Sequence, residues 1–136
     1  MGKKLIIKGA DFSKNGFVSL YAVLINVRLI QNGIFSADGK SLLIKVSGKS
    51  NVVINKTEDT GNCYIAMLTD YVDGDTEAKF ATGYSDAGVL VGTKENTYTI
   101  PSNAKYLLVL YQVGSNDYRY PESINIDGID VNFVKS

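Results

Sequence analysis

The chain has 136 residues, with 14 basic and 14 acidic side chains and no histidine. Balanced charge without a basic stripe argues against nucleic-acid binding, and the lack of histidine excludes Ser-His-Asp and Cys-His catalysis and the commonest transition-metal ligand. Carboxylate chemistry or a Ser-Lys arrangement remains as an enzymatic alternative, but no spacing in the sequence indicates an acid/base pair. We therefore expect a non-enzymatic protein without a cofactor, folded as one domain over residues 1–136.

Short apolar segments alternate with clusters of Gly, Asn, Asp and Ser, which is typical of many strands joined by turns. The first predicted strand is Lys3–Lys8. The next apolar segment, Phe17–Ile30, has some residues at helical spacing, but Ile25–Leu29 alternates as a strand does. Its five β-branched residues favour a strand, and a helix remains the alternative.

Asn32-Gly33 is a strong turn signal, and further apolar segments follow it. They predict strands at Leu42–Val46, Asn51–Asn55, Cys63–Thr69, Ala78–Thr82, Gly88–Val91, Thr97–Ile100, Ala104–Gln112, Ser123–Ile126 and Ile129–Val134. With no linker between two halves, the sequence predicts a single all-β domain of successive antiparallel strands.

The segment around Pro101 shows how one turn organises two strands. Pro101 cannot donate to a strand ladder, so it ends the strand Thr97–Ile100, and Ser102-Asn103 reverses the chain. The strand beyond is apolar on both faces, which predicts a central strand with a core on one side and a covering segment or a partner on the other. Leu108 and Leu110 are expected to be central in it.

Neither a membrane span nor a secretion signal is expected. The longest uncharged apolar stretch, Phe17–Val27, is about half the length of a transmembrane helix. The basic N-terminus is followed by an apolar run that is too short for a signal peptide. The single cysteine, Cys63, lies in an apolar run and is expected to be a small core residue.

Two stretches together resemble known β-sandwich modules: Lys3–Ser13 (KKLIIKGADFS) and the segment that runs from Tyr64–Leu68 (YIAML) to Thr99–Leu107 (TIPSNAKYL). They are similar to jelly-roll-like modules of gut Bacteroidales proteins and of virion proteins of the tailed phages that infect them. The resemblance implies a jelly-roll-like sandwich with a binding or assembly role, as a decoration, head-fibre or attachment component of a virion. The partners would then be other virion subunits or copies of the chain itself.

A carbohydrate-binding module is the alternative function. The resemblance includes carbohydrate-binding relatives, in which tryptophan commonly forms the platform for sugar rings. This chain has nine tyrosines and no tryptophan. Tyrosine-rich loops would therefore have to contact a surface glycan.

One loop is the main candidate for contacting a partner or a glycan: Asn116, Asp117, Tyr118, Arg119 and Tyr120. Aromatic rings and an arginine give rigid, amphipathic contact area at low entropic cost. The alternative is that Tyr118 and Tyr120 pack down over the end of the sandwich.

A second loop, Asp70–Glu77, carries four carboxylates in eight residues. Hard cations such as calcium take oxygen ligands from loops of this kind, although the spacing is not that of an EF-hand. Asp-Gly and Gly-Asp pairs are also favoured in turns between strands, and a turn is the preferred interpretation.

Overall fold

The computed structural model describes residues 5–8, 22–115 and 117–135. Within these ranges the chain forms strands β1 (Leu5–Lys8), β2 (Ala22–Ile25), β3 (Arg28–Ile30), β4 (Ile34–Ser36), β5 (Ser41–Lys45), β6 (Asn51–Asn55), β7 (Asn62–Asp70), β8 (Lys79–Phe80), β9 (Val89–Val91), β10 (Glu95–Thr99), β11 (Tyr106–Gly114), β12 (Asp117–Tyr118), β13 (Ser123–Ile126) and β14 (Ile129–Lys135). A 3-10 turn, Gln31–Gly33, separates β3 from β4. In the part of the chain that is described, no helix is long and apolar enough to cross a membrane.

Two antiparallel sheets form the body of the molecule. The smaller sheet has the order β1-β14-β13-β6-β10, and the larger has the order β2-β5-β11-β7, with β8 and β9 beyond β7. Successive strands repeatedly cross from one sheet to the other, as at β5–β6, β6–β7 and β10–β11, a pattern also found in jelly rolls. The predicted all-β antiparallel sandwich is confirmed.

Side chains from the facing surfaces of the two sheets form what we call the inner core. Ile54 and Ile124 enter it from the smaller sheet, and Ile65, Met67 and Leu107 from the larger, all with almost no exposed surface. These positions recur with the two-residue period of strands, which is why one face of each sheet is buried.

A third layer covers part of the outer face of the larger sheet. The β3–β4 hairpin places Leu29 and Phe35 over Ala66, Leu68 and Leu108, and we call this cluster the outer core. Two backbone hydrogen bonds join the hairpin to the end of the loop Asp70–Glu77, which we call the acidic loop. Phe35 N donates to Thr76 O at 3.0 Å, and Ala78 N donates to Gly33 O at 2.7 Å.

The outer core explains why β11 is apolar on both faces. Leu107, Val109 and Tyr111 face the inner core, whereas Leu108 packs under the hairpin. The covering segment is therefore supplied by the chain itself at Leu108. Two-sided burial of this strand consequently gives no argument for a partner.

The segment Phe17–Ile30, for which both a strand and a helix were considered, is extended where the structure describes it. Residues 22–25 and 28–30 are strands, and residues 17–21 lie outside the described residues. Around Pro101 the predicted turn is present, because Ala104 N donates to Pro101 O at 3.0 Å.

Candidate functional site

The predicted contact residues lie on a short strand and the segment that follows it. β12 pairs with the end of β11, with Tyr118 opposite Gln112 and Asp117 opposite Gly114. Arg119 N then donates to Tyr111 O at 2.8 Å. Residues 117–120 are thus held against the larger sheet, and Asn116 lies outside the described residues.

A cleft of about 530 Å³ opens between the start of β5 and the end of β12, because both strands pair with the same edge of β11. Its lining includes all four described contact residues. Inner-core residues form the apolar part of the lining: Leu24, Leu42, Val109, Tyr111 and Tyr120. Charged residues of both signs border it: Asp38, Lys40, Asp117 and Arg119.

An ion pair holds the outer border of the cleft. The Arg119 Nη2 atom lies 3.2 Å from Asp117 Oδ2, and Nε donates to Oδ1 at 3.3 Å. The hydrogen bond and the charge of Asp117 raise the pKa of the Arg119 guanidinium, which stays charged. About half of each side chain is exposed, so the pair adds little stability and remains accessible to a partner.

The two tyrosines of the site have different surroundings. Tyr120 packs against the inner core, and burial raises the pKa of its hydroxyl. Tyr118 is half-buried, and its hydroxyl donates to Asp38 O at 3.4 Å. Packing over the sandwich end therefore describes Tyr120, whereas Tyr118 bridges β12 to the turn before β5.

The opposite border of the cleft is fixed by the hairpin. Arg28 Nε donates to Asp38 O at 2.7 Å, and Ser41 Oγ donates to Val27 O at 2.8 Å. A side chain at Gly39 would collide with the Arg28 stem, because a Cβ there would lie 2.6 Å from Arg28 Cβ. The sequence did not lead us to include this turn before β5 in the site. The Asp38-Gly39 pair, which is common in turns, could have indicated the turn itself.

The acidic loop behaves as a turn. Asp70 Oδ1 accepts a hydrogen bond from Tyr71 N at 2.9 Å, and Asp75 Oδ2 accepts one from Val72 N at 3.0 Å. Lys79 also pairs with Asp75 at 3.5 Å. Within residues 5–8, 22–115 and 117–135, no three His, Cys, Asp or Glu side chains are grouped so that they could hold a metal ion.

The only thiol in the sequence is buried in the inner core. Cys63 has no exposed surface, and burial raises the pKa of its thiol to about 12, against a smaller opposing effect of Lys56. A nucleophilic cysteine needs a stabilised thiolate, so this environment is that of a structural residue.

Comparison with protein-family models, curated proteins and solved structures found no significant match to this chain.

Proposed function

We propose that this protein is a non-enzymatic structural component of a tailed-phage virion, acting as a decoration, head-fibre or attachment subunit through protein–protein contacts. The sequence resemblance supports the virion setting. The cleft beside β12 supports the mode of action, because it combines an apolar lining with a charged border.

Such an arrangement suits a protein contact. Binding energy at interfaces is concentrated in a few side chains that fill well-packed pockets, surrounded by polar contacts that exclude water. Leu24 and Tyr120 are partly exposed in the lining and provide an apolar surface for an inserted side chain, and Tyr118 and Arg119 provide anchors at the mouth. Since Asp117 and Lys40 add opposite charges, the border can match a partner of mixed charge.

The test is binding to candidate virion subunits, taken from the proteins encoded next to this one. Light scattering on the purified protein, alone and mixed with each subunit, reports both self-association and complex formation. We expect Tyr118→Ala and Arg119→Ala to weaken the complex about tenfold or more while leaving the fold intact. Lys105→Ala is the matched control, because this exposed charge lies outside the cleft lining. A wild-type monomer that binds no subunit contradicts the proposal.

Carbohydrate binding in the same cleft is the second candidate. It is favoured by the half-buried Tyr118 ring next to Asp38, Asp117 and Arg119, which can meet sugar hydroxyls. A glycan array separates the two candidates. Glycan binding that Arg119→Ala abolishes, without subunit binding, favours this second function.

A further inference from the structure

A second groove, of about 630 Å³, lies on the outer face of the larger sheet, next to the part that the hairpin covers. In the sheet register Leu110 lies opposite Tyr64, and Gln112 lies opposite Asn62. All four side chains line the groove. Arg28 and Asp86 border it from the hairpin and the loop before β9, and its volume is typical of a ligand pocket.

The groove exists because the hairpin covers only part of the sheet. Leu108 is 2% exposed under the hairpin, whereas Leu110, two residues further along, is 8% exposed at the groove. Glycines let the neighbouring loops lie directly on the strands at two places. A Cβ at Gly88 would lie 2.4 Å from Ile65 O, and one at Gly61 would lie 2.6 Å from Gln112 O.

The side chains of this surface combine an aromatic ring with amides. Tyr64 is half-buried beside Leu110 and gives a flat apolar contact area. Asn62 and Gln112 each offer a carbonyl acceptor and an amino donor. Gln112 Nε2 donates to Gly114 O at 3.0 Å, so this amide is held in place before a ligand arrives.

Hydrogen bonds also fix the two charged residues at the border. Arg28 Nε donates to Asp38 O at 2.7 Å, and Asp86 Oδ1 accepts a hydrogen bond from Asn32 N at 2.5 Å. One basic and one acidic side chain line the groove, so neither an anion nor a cation is strongly favoured by charge.

We propose that this outer-face groove binds a neutral saccharide. A sugar ring has an apolar face that can pack on Tyr64 and hydroxyls that both donate and accept, as the amides of Asn62 and Gln112 do. A purely apolar ligand would cover the Asn62 amide and the Gln112 carbonyl oxygen without giving them hydrogen-bond partners, which costs binding energy. The groove is separate from the cleft beside β12, and the inference does not depend on the assembly proposal.

The experiment uses the full chain and a panel of neutral oligosaccharides built from glucose, mannose, galactose or N-acetylglucosamine. Binding is measured by calorimetry and by backbone amide shifts in NMR spectra. We expect Tyr64→Ala and Asn62→Ala to weaken the best-binding oligosaccharide about tenfold and about fivefold, respectively. Asn62 is exposed, so its variant remains informative if Tyr64→Ala fails to fold.

Two controls locate the site. Thr97→Ala changes an exposed residue of the smaller sheet, and Arg119→Ala changes the cleft. The proposal requires both variants to bind as the wild type does, with amide shifts centred on β7 and β11. It is overturned if no oligosaccharide binds more tightly than about 1 mM, or if Asn62→Ala leaves binding unchanged. It is also overturned if Arg119→Ala alone abolishes binding, since the sugar then occupies the cleft.

Discussion

At the scale of single residues, the most unusual group is the buried lysine at the end of β6. Lys56 is 5% exposed, and its Nζ atom donates to Gly61 O at 3.0 Å. The same atom lies 5.5 Å from the centroid of the Tyr111 ring, and the Tyr111 hydroxyl donates to Thr60 O at 2.8 Å. Two side chains thus hold residues 57–61 against the sandwich, close to the cleft that Tyr111 also lines.

We expect Lys56→Met to lower the free energy of unfolding by about 1–3 kcal/mol, because Gly61 O loses its donor while most of the apolar stem is kept. Lys56→Ala should cost more, since the stem packing is lost as well. Urea denaturation of both variants measures the difference. A double-mutant cycle with Tyr111→Phe reports the coupling between the two side chains. A Lys56→Met variant as stable as the wild type would show that the charge contributes nothing net.

At the scale of the elements, β11 is stabilised on both faces, but to different degrees along its length. Leu108 is enclosed by the outer core, whereas Leu110 borders the open groove. Leu108→Ala should therefore cost about 2–5 kcal/mol of unfolding free energy, and Leu110→Ala clearly less, because a cavity at the groove can admit water. Chemical denaturation of the two variants measures both values. Equal losses of unfolding free energy at the two positions would contradict the conclusion that the hairpin covers Leu108 more completely than Leu110.

The hairpin of the third layer depends on its turn. Asn32 and Gly33 have φ angles of 65° and 69°, the left-handed region in which glycine is unstrained. A Cβ at Gly33 would also lie 2.8 Å from Phe80 Cε2. We expect Gly33→Ala to destabilise the protein by about 1–2 kcal/mol and to increase binding of an apolar dye to the exposed outer core. Asn32→Gly, at the same kind of φ, is the control and should leave both properties nearly unchanged.

Elements with a strong local pattern could be predicted from the sequence. Asn51–Asn55 and Ser123–Ile126 have the bounds that were predicted, because alternation and flanking turn residues are local signals. The sequence did not predict that the β3–β4 hairpin covers the outer face of the larger sheet, because its packing on Leu108 joins segments far apart in the chain. The same applies to the cleft: Asp117 to Tyr120 were predicted, but Asp38, about 80 residues earlier, comes next to Tyr118 only in the folded chain.

At the scale of the whole molecule, the buried thiol and the partly buried tyrosine hydroxyls make the free energy of unfolding depend on pH in the alkaline range. Burial raises the pKa of the Cys63 thiol from 9.0 to about 12, and it raises the pKa of the hydroxyls of Tyr84, Tyr98 and Tyr120 above 10.0. Each group binds its proton more tightly in the folded than in the unfolded chain. Its contribution is therefore complete below the unfolded pKa and is lost as pH rises towards the folded pKa.

We accordingly expect the free energy of unfolding to fall between about pH 9 and about pH 12, by up to about 1.4 kcal/mol per pH unit for the thiol. Urea denaturation at a series of pH values measures the slope. Cys63→Ala should lower the stability at neutral pH, because it leaves a small cavity, yet flatten the slope between about pH 9 and 10. Alkylation of the wild-type thiol near pH 8 should be slow and should follow unfolding, since the buried thiol must be exposed before it can react. Fast alkylation of the native protein, or an unchanged slope in Cys63→Ala, would place the thiol outside a sealed inner core.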